Sequence, residues 1–121
     1  MKIIKKDSIP IVPATGTLFT GGKVTRQNII TGDMSQYLTA SIVHFSRGSR
    51  NKWHTHTRDQ FLFITAGKGI VADEKGENIV GPGDIVLFPA GEKHWHGATK
   101  DSDFSHLYVI SAGSETKQLE D

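Results

Sequence analysis

The sequence predicts an all-β protein, an antiparallel sandwich or barrel, and three observations carry that prediction. Gly and Pro punctuate the chain at short intervals, from Pro10 and Pro13 through Gly21-Gly22 and Gly81-Pro82-Gly83 to Gly113, leaving little room for an ordinary helix. Between these breaks lie short runs rich in β-branched and aromatic residues, the types that suit a pleated, half-buried surface. The length, 121 residues, suits one domain with one core, spanning residues 1–121.

The elements follow in order. Leu18–Thr20 and Val24–Ile29 are the first candidate strands. Tyr37–Phe45 alternates, with Leu38, Ala40 and Ile42 on one face and Thr39, Ser41, Val43 and Phe45 on the other. Phe61–Thr65 is a compact apolar run whose Leu62 and Ile64 oppose Phe61 and Phe63. Gly69–Ala72 and Glu77–Val80 flank the turn Asp73-Glu74-Lys75-Gly76 as a hairpin. Ile85–Phe88 and Ser105–Ser111 complete the set. In the last strand Phe104, His106, Tyr108 and Ile110 share a face. Residues 114–121 are polar and predict a loose tail or one short helical turn.

Composition narrows the function classes. A formal net charge of +1 is too small to argue for nucleic acid or an anionic membrane as a partner. No cysteine is present, so disulfides and thiolate ligands are excluded. The start, Met1 to Asp7, has no long apolar stretch, and no run approaches the ~20 apolar residues of a membrane helix. These features predict a cytoplasmic protein acting on a small molecule. Phe61 and Phe63 on an outer face predict a homodimer. Trp53 and Trp95 alternate with histidines and are expected between sheets or at a subunit contact. Arg58 and Asp59 belong to a solvated turn. His44 has the opposite parity from Val43 and faces away from any interior site.

His54, His56, Gln60 and His94 are the most informative side chains. His54 and His56 share a strand face about 6–7 Å apart at the backbone, so both imidazoles can lean toward one ion at ~2.0–2.2 Å. A straight strand would carry Gln60 ~13 Å beyond His56, so sharing an ion requires the chain to turn within Thr57-Arg58-Asp59. Gln60 then opens the next antiparallel strand. The strand of His94 must lie beside this pair, and His96 shares its parity. Inward polar groups in a closed barrel are costly without partners, so several converging on one point need a metal or a hydrogen-bond network.

Two motifs organise these residues. The first runs from Gly48 through His54, His56 and Gln60 to Gly67. The second runs from Gly83 through Pro89 and Gly91 to His94. Together they resemble the paired motifs of the cupin superfamily and occupy residues 48–98. The resemblance implies a single-domain antiparallel jelly-roll β-barrel. Two positions depart from the family pattern: Gln60 replaces its glutamate and Ala98 its asparagine. A neutral Gln ligand would leave a divalent ion its full charge.

The chain also resembles the small bacterial cupins of the manganese-dependent hydroxynitrile lyase type. The shared features are the His54, His56 and Gln60 set, the segment Gly91 to Ala98, and His106-Leu107. That resemblance implies a divalent metal on His54, His56, Gln60 and His94, with manganese first and iron, nickel, zinc or cobalt as alternatives. It implies His106 and His96 as catalytic groups. The substrate pocket would be walled by Ser41, Val43, Leu62, Ile64, Phe104, Tyr108 and Ile110. Ile110 stands where that group has a glutamine. The expected chemistry is that of a metal-dependent lyase or isomerase, the metal a Lewis acid and a histidine of near-neutral pKa the base. An Fe²⁺ dioxygenase and a non-enzymatic binder or sensor are the competing classes.

Overall fold

The computed structural model describes all 121 residues. Apart from a 3-10 turn at Lys6–Ser8, every regular element is a strand. In chain order they are β1 (Val12–Pro13), β2 (Phe19–Thr20), β3 (Val24–Ile30), β4 (Leu38–Phe45), β5 (Arg50–Asn51), β6 (His54–His56) and β7 (Gln60–Gly67). There follow β8 (Gly69–Asp73), β9 (Gly76–Val80), β10 (Ile85–Phe88), β11 (Trp95–Ala98), β12 (Phe104–Ser111) and β13 (Thr116–Gln118).

A six-stranded sheet in the order β1-β3-β4-β12-β7-β10 packs against a five-stranded sheet in the order β2-β5-β11-β8-β9. All pairings are antiparallel, and the two sheets form a jelly-roll barrel. Each long strand shows why it formed. In β7 the alternation is strict at its start, with Gln60, Leu62 and Ile64 buried and Phe61, Phe63 and Thr65 exposed. The interior is closed by Val24, Val43, Phe45, Leu62, Ile64, Phe88 and Phe104 from one sheet and Val71 and Ala98 from the other. Burying a side chain of this size contributes about 1.5–3 kcal/mol.

Where β12 meets β7 the register shifts between Ser105 and His106. Phe104 then swings over Gly69, which has no room for a side chain because the Phe104 ring fills the place of a Cβ. Beyond that shift His106 pairs with Val43 on one side and Ile64 on the other.

Residues 114–121, expected as a loose tail or helical turn, instead contain β13, which pairs with β6. The register sets Thr116 opposite His56 and Gln118 opposite His54. Side chains and backbone fasten this strap further. Thr57 N–H donates to Glu115 O, Glu115 N–H donates to Thr57 Oγ1, and Glu120 forms an ion pair with Arg50 at 3.0 Å. Trp95 lies outside the barrel interior, with the Arg50 guanidinium 4.8 Å above its ring, rather than between the sheets. His44 faces away from the interior, its ring nitrogens on Ser105 Oγ at 2.8 Å and Gln27 Oε1 at 2.9 Å. No helix is long and apolar enough to cross a membrane.

Candidate metal centre and adjoining cavity

Two chain segments bring the histidines together. His54 and His56 lie on β6, and His94 lies just before β11. His54 and His94 exchange backbone hydrogen bonds at 3.0 and 3.1 Å, which sets their side chains adjacent. The three rings pack at centroid distances of 4.8 Å for His54–His56, 4.2 Å for His54–His94 and 5.2 Å for His56–His94. Their ligand atoms all lie within 4.8 Å of one another, so the group can hold a metal ion. Phe88 stacks on His94 at 3.9 Å and backs the cluster with an apolar wall.

The outer nitrogens are already engaged. His54 Nδ1–H donates to Lys52 O at 2.6 Å, and His94 Nδ1–H donates to Glu92 O at 2.9 Å. A carbonyl can only accept, so each ring carries its proton on Nδ1 and keeps the Nε2 lone pair for the centre. His56 Nδ1 is paired with Thr116 Oγ1 at 2.8 Å. The inner atoms behave otherwise: His56 Nε2, His94 Nε2 and Gln60 Oε1 are buried with no hydrogen-bond partner. Unpartnered buried acceptors beside fixed outer nitrogens are what a metal site requires, and the residues present fit a divalent ion. Burial pushes His54 down, His56 down to about 4 and His94 down to about 3, with the neighbouring His54 adding to the last two. All three rings are therefore neutral at neutral pH and ready to ligate.

The chain turns after His56, and Gln60 opens β7, lining the same cavity as His54 and His56. This cavity has a volume of about 390 Å³. Among the residues expected to wall it, Val43, Tyr108 and Ile110 do so, together with His96 and His106. Ser41, Leu62, Ile64 and Phe104 do not. Leu62, Ile64 and Phe104 lie in the packed core, and Ser41 is buried beneath Arg26 and Asn28. Strand parity gives the inward face correctly, but depth along the strand decides which inward residues meet open space.

His96 and His106 sit edge to face at 4.8 Å, and their hydrogen bonds separate their roles. The His96 backbone N–H donates to Asn51 Oδ1 at 2.8 Å, which turns the amide so that Nδ2 faces the ring. Asn51 Nδ2 then donates to His96 Nε2 at 3.1 Å. His96 must carry its proton on Nδ1, and that atom is buried without an acceptor. His96 is a hydrogen-bond donor toward its surroundings. His106 has no partner on either ring nitrogen, so one lone pair is free. The expected near-neutral pKa is corrected for both: full burial pushes His106 down to about 3 and His96 well below its ordinary value. No compensating anion stands beside either ring.

The sequence alone missed Asn51, Thr116 and Arg26. Asn51 and Thr116 lie on strands too short to show alternation. Arg26 did carry a signal, since it shares the parity of the inward Val24 in β3.

Three comparisons place the molecule among known proteins. The cupin domain family (Cupin_2) matches residues 41–110. An (R)-mandelonitrile lyase of Granulicella tundricola is 46% identical over 68 residues, which is 55% of this chain and 52% of that protein. The match thus spans about half the length of that relative. A cupin-like protein of Thermotoga maritima superposes with a TM-score of 0.83 at 26% identity, over 100% of this chain and 90% of that one. The polyketide cyclase RemF of Streptomyces resistomycificus gives a TM-score of 0.88 at 16% identity, over 100% and 87% of the two chains, a likeness of fold. The two jelly-roll sheets, the histidine cluster at one end of the barrel and the family match through its centre agree, and the chain belongs to the cupin family.

Proposed function

We propose that this cupin is a metal-dependent lyase or isomerase acting on a small hydroxyl- or carbonyl-bearing molecule. One observation carries the reading. Unpartnered inner atoms of His56, His94 and Gln60 stand in the same interior as His106, a buried base with no partner of its own. His54, His56, His94 and Gln60 would hold a divalent ion, manganese before iron, nickel, zinc or cobalt. When bound, the ion supplies Lewis acidity toward a substrate oxygen, undiminished by any anionic ligand.

The chain's own residues divide the remaining work. His106 would accept the proton of a substrate hydroxyl at its free ring nitrogen; burial makes it a weak base, so this transfer depends on the acidity that a bound ion would lend the hydroxyl. His96, held as the Nδ1–H tautomer by Asn51, donates a hydrogen bond toward the developing negative charge. Val43, Phe45 and Ile110 exclude water and hold an apolar portion of the substrate. The mandelonitrile lyase relative supports cleavage beside a hydroxyl-bearing carbon as the first activity to assay.

The test combines metal analysis of the purified protein, benzaldehyde release from mandelonitrile, and oxygen consumption in parallel. His106→Ala is expected to keep its metal and lose about a hundredfold in turnover. Stoichiometric oxygen uptake would favour the dioxygenase class instead, and full turnover by the variant would remove His106 as the base.

A homodimer is part of the same proposal. Ile85 and Leu87 of β10 pair with Phe63 and Phe61 of β7, so these apolar side chains form one patch on the outer face of the large sheet. Exposure of 68% at Ile85 and 62% at Leu87 is unusual for side chains of this type and supports a covering second copy. Light scattering should give twice the mass of the chain, and Leu87→Glu should halve it.

A further inference from the structure

Arg26 is the only Asp, Glu, Lys or Arg side chain that lines the cavity. It forms no ion pair with any carboxylate of the protein. Its Nη2 donates to Tyr108 Oη at 2.6 Å and to Ser41 Oγ at 3.3 Å, while its Nε is buried without an acceptor. Desolvating a guanidinium without an anion is costly, and both groups it touches are neutral. Its charge is therefore uncompensated by the fold. Tyr108 accepts from Arg26 and so has its own O–H free to donate in turn.

Position makes this pair useful. Arg26 on β3 pairs with Val43, and Val43 pairs with His106 on β12. Two strand spacings separate Arg26 from His106, about 10 Å at the backbone. The Tyr108 ring lies 6.4 Å from the His106 ring on the same strand face. A short molecule can therefore touch Arg26 and Tyr108 at one end and reach His106 and the histidine cluster with the other.

We propose that Arg26 and Tyr108 form a carboxylate-binding pole, so that the cavity takes a short hydroxy- or oxo-carboxylate rather than a neutral cyanohydrin. A planar guanidinium with a neighbouring O–H donor matches the two oxygens of a carboxylate, and one fixed cation balances one negative charge. The substrate class rests on the proposed reading of the metal centre as the seat of chemistry, but the anion pole itself does not.

Calorimetric titration tests it with three acid and amide pairs as probes: lactate and lactamide, mandelate and mandelamide, 3-hydroxybutyrate and its amide. Each titration is run on manganese-loaded and on metal-free protein. At least one acid is expected to bind about tenfold more tightly than its amide in both forms. Arg26→Gln should bring that ratio to about one, Arg26→Lys should keep part of it, and metal content should be unchanged. Tyr108→Phe, which removes only the O–H, gives a second route should Arg26→Gln not fold, and is expected to reduce the ratio. A preference that survives both Arg26→Gln and Tyr108→Phe overturns the proposal. So does one that vanishes with the metal, or equal binding of all three pairs. Tighter binding of inorganic phosphate than of any carboxylate overturns the assignment to carboxylates. Loss of metal binding with an intact Arg26-dependent preference would refute the metal reading and leave the pole standing.

Discussion

The barrel interior has two regions built from the same strands. At one end Leu62, Ile64 and Phe104 pack together, Leu62 and Ile64 fully buried and Phe104 1% exposed. At the other end lie His54, His56, His94, His96, His106, Gln60 and Arg26. β12 crosses both, running Phe104, His106, Tyr108, Ile110 along one face. The hydrogen bonds of the two regions differ sharply. Of the buried side-chain atoms without a partner, only Thr99 Oγ1 lies away from the cavity and the histidine cluster. The dry end is satisfied by shape alone, while the polar end keeps acceptors and donors in reserve. Unsatisfied groups concentrated at one place mark where stability has been given up for binding.

This contrast can be broken most severely at its polar pole. His94→Ala is expected to abolish stoichiometric metal binding, measured by elemental analysis, while far-ultraviolet circular dichroism remains that of the β-barrel. Leu62→Ala makes the reciprocal change. It should lower the unfolding free energy by about 2–5 kcal/mol in urea titrations and leave the metal content intact. If either variant produced the other's phenotype, the separation of the two regions would be wrong.

Acid should act chiefly on the polar end, where the largest depressions lie, with the half-buried His44 outside it adding to the effect. His56 is held at about 4 and His94 and His106 at about 3, against 6.5 for an unperturbed histidine. Below about pH 6.5 the unfolded chain takes up protons that the folded chain refuses. Stability of the metal-free protein should therefore be level above that pH and fall continuously toward pH 3. A urea midpoint that did not decline between pH 7 and pH 4 would contradict the assignment of neutral buried rings.

Two smaller changes sharpen the comparison. Thr116→Val removes the hydroxyl that orients His56 and should weaken metal affinity about tenfold without altering the melting temperature of the metal-free form. His106→Leu replaces a ring with two unpartnered nitrogens by an apolar side chain. It should raise the unfolding free energy by about 1 kcal/mol while lowering turnover.

Much of the barrel was legible in the sequence because alternation survives wherever one face is dry. Ile85–Phe88 has the expected bounds, and the buried and exposed sets of β7 are those that parity predicts. The turn before Gln60 followed from distance alone. What stayed hidden has a physical cause in each case. Thr116–Gln118 is polar and too short for a period, and its partner β6 is equally short. Leu62, Phe104 and Ser41 point inward, yet distance from the cavity depends on packing and on the shift beside Ser105. The tautomer of His96 depends on Asn51, 45 positions away. Arg26 has the right parity, but its meaning appears only once no carboxylate is found to face it.

That last feature has a kinetic side. A cation diffusing toward the histidines passes a wall with no acidic side chain and one guanidinium. A site lined by carboxylates draws its cation in, and added salt slows that approach. Here the field opposes the incoming ion, so screening should accelerate loading, and an anion resting on Arg26 should accelerate it further. Apo protein mixed with manganese at rising ionic strength would then fill faster, the reverse of what an acidic site does.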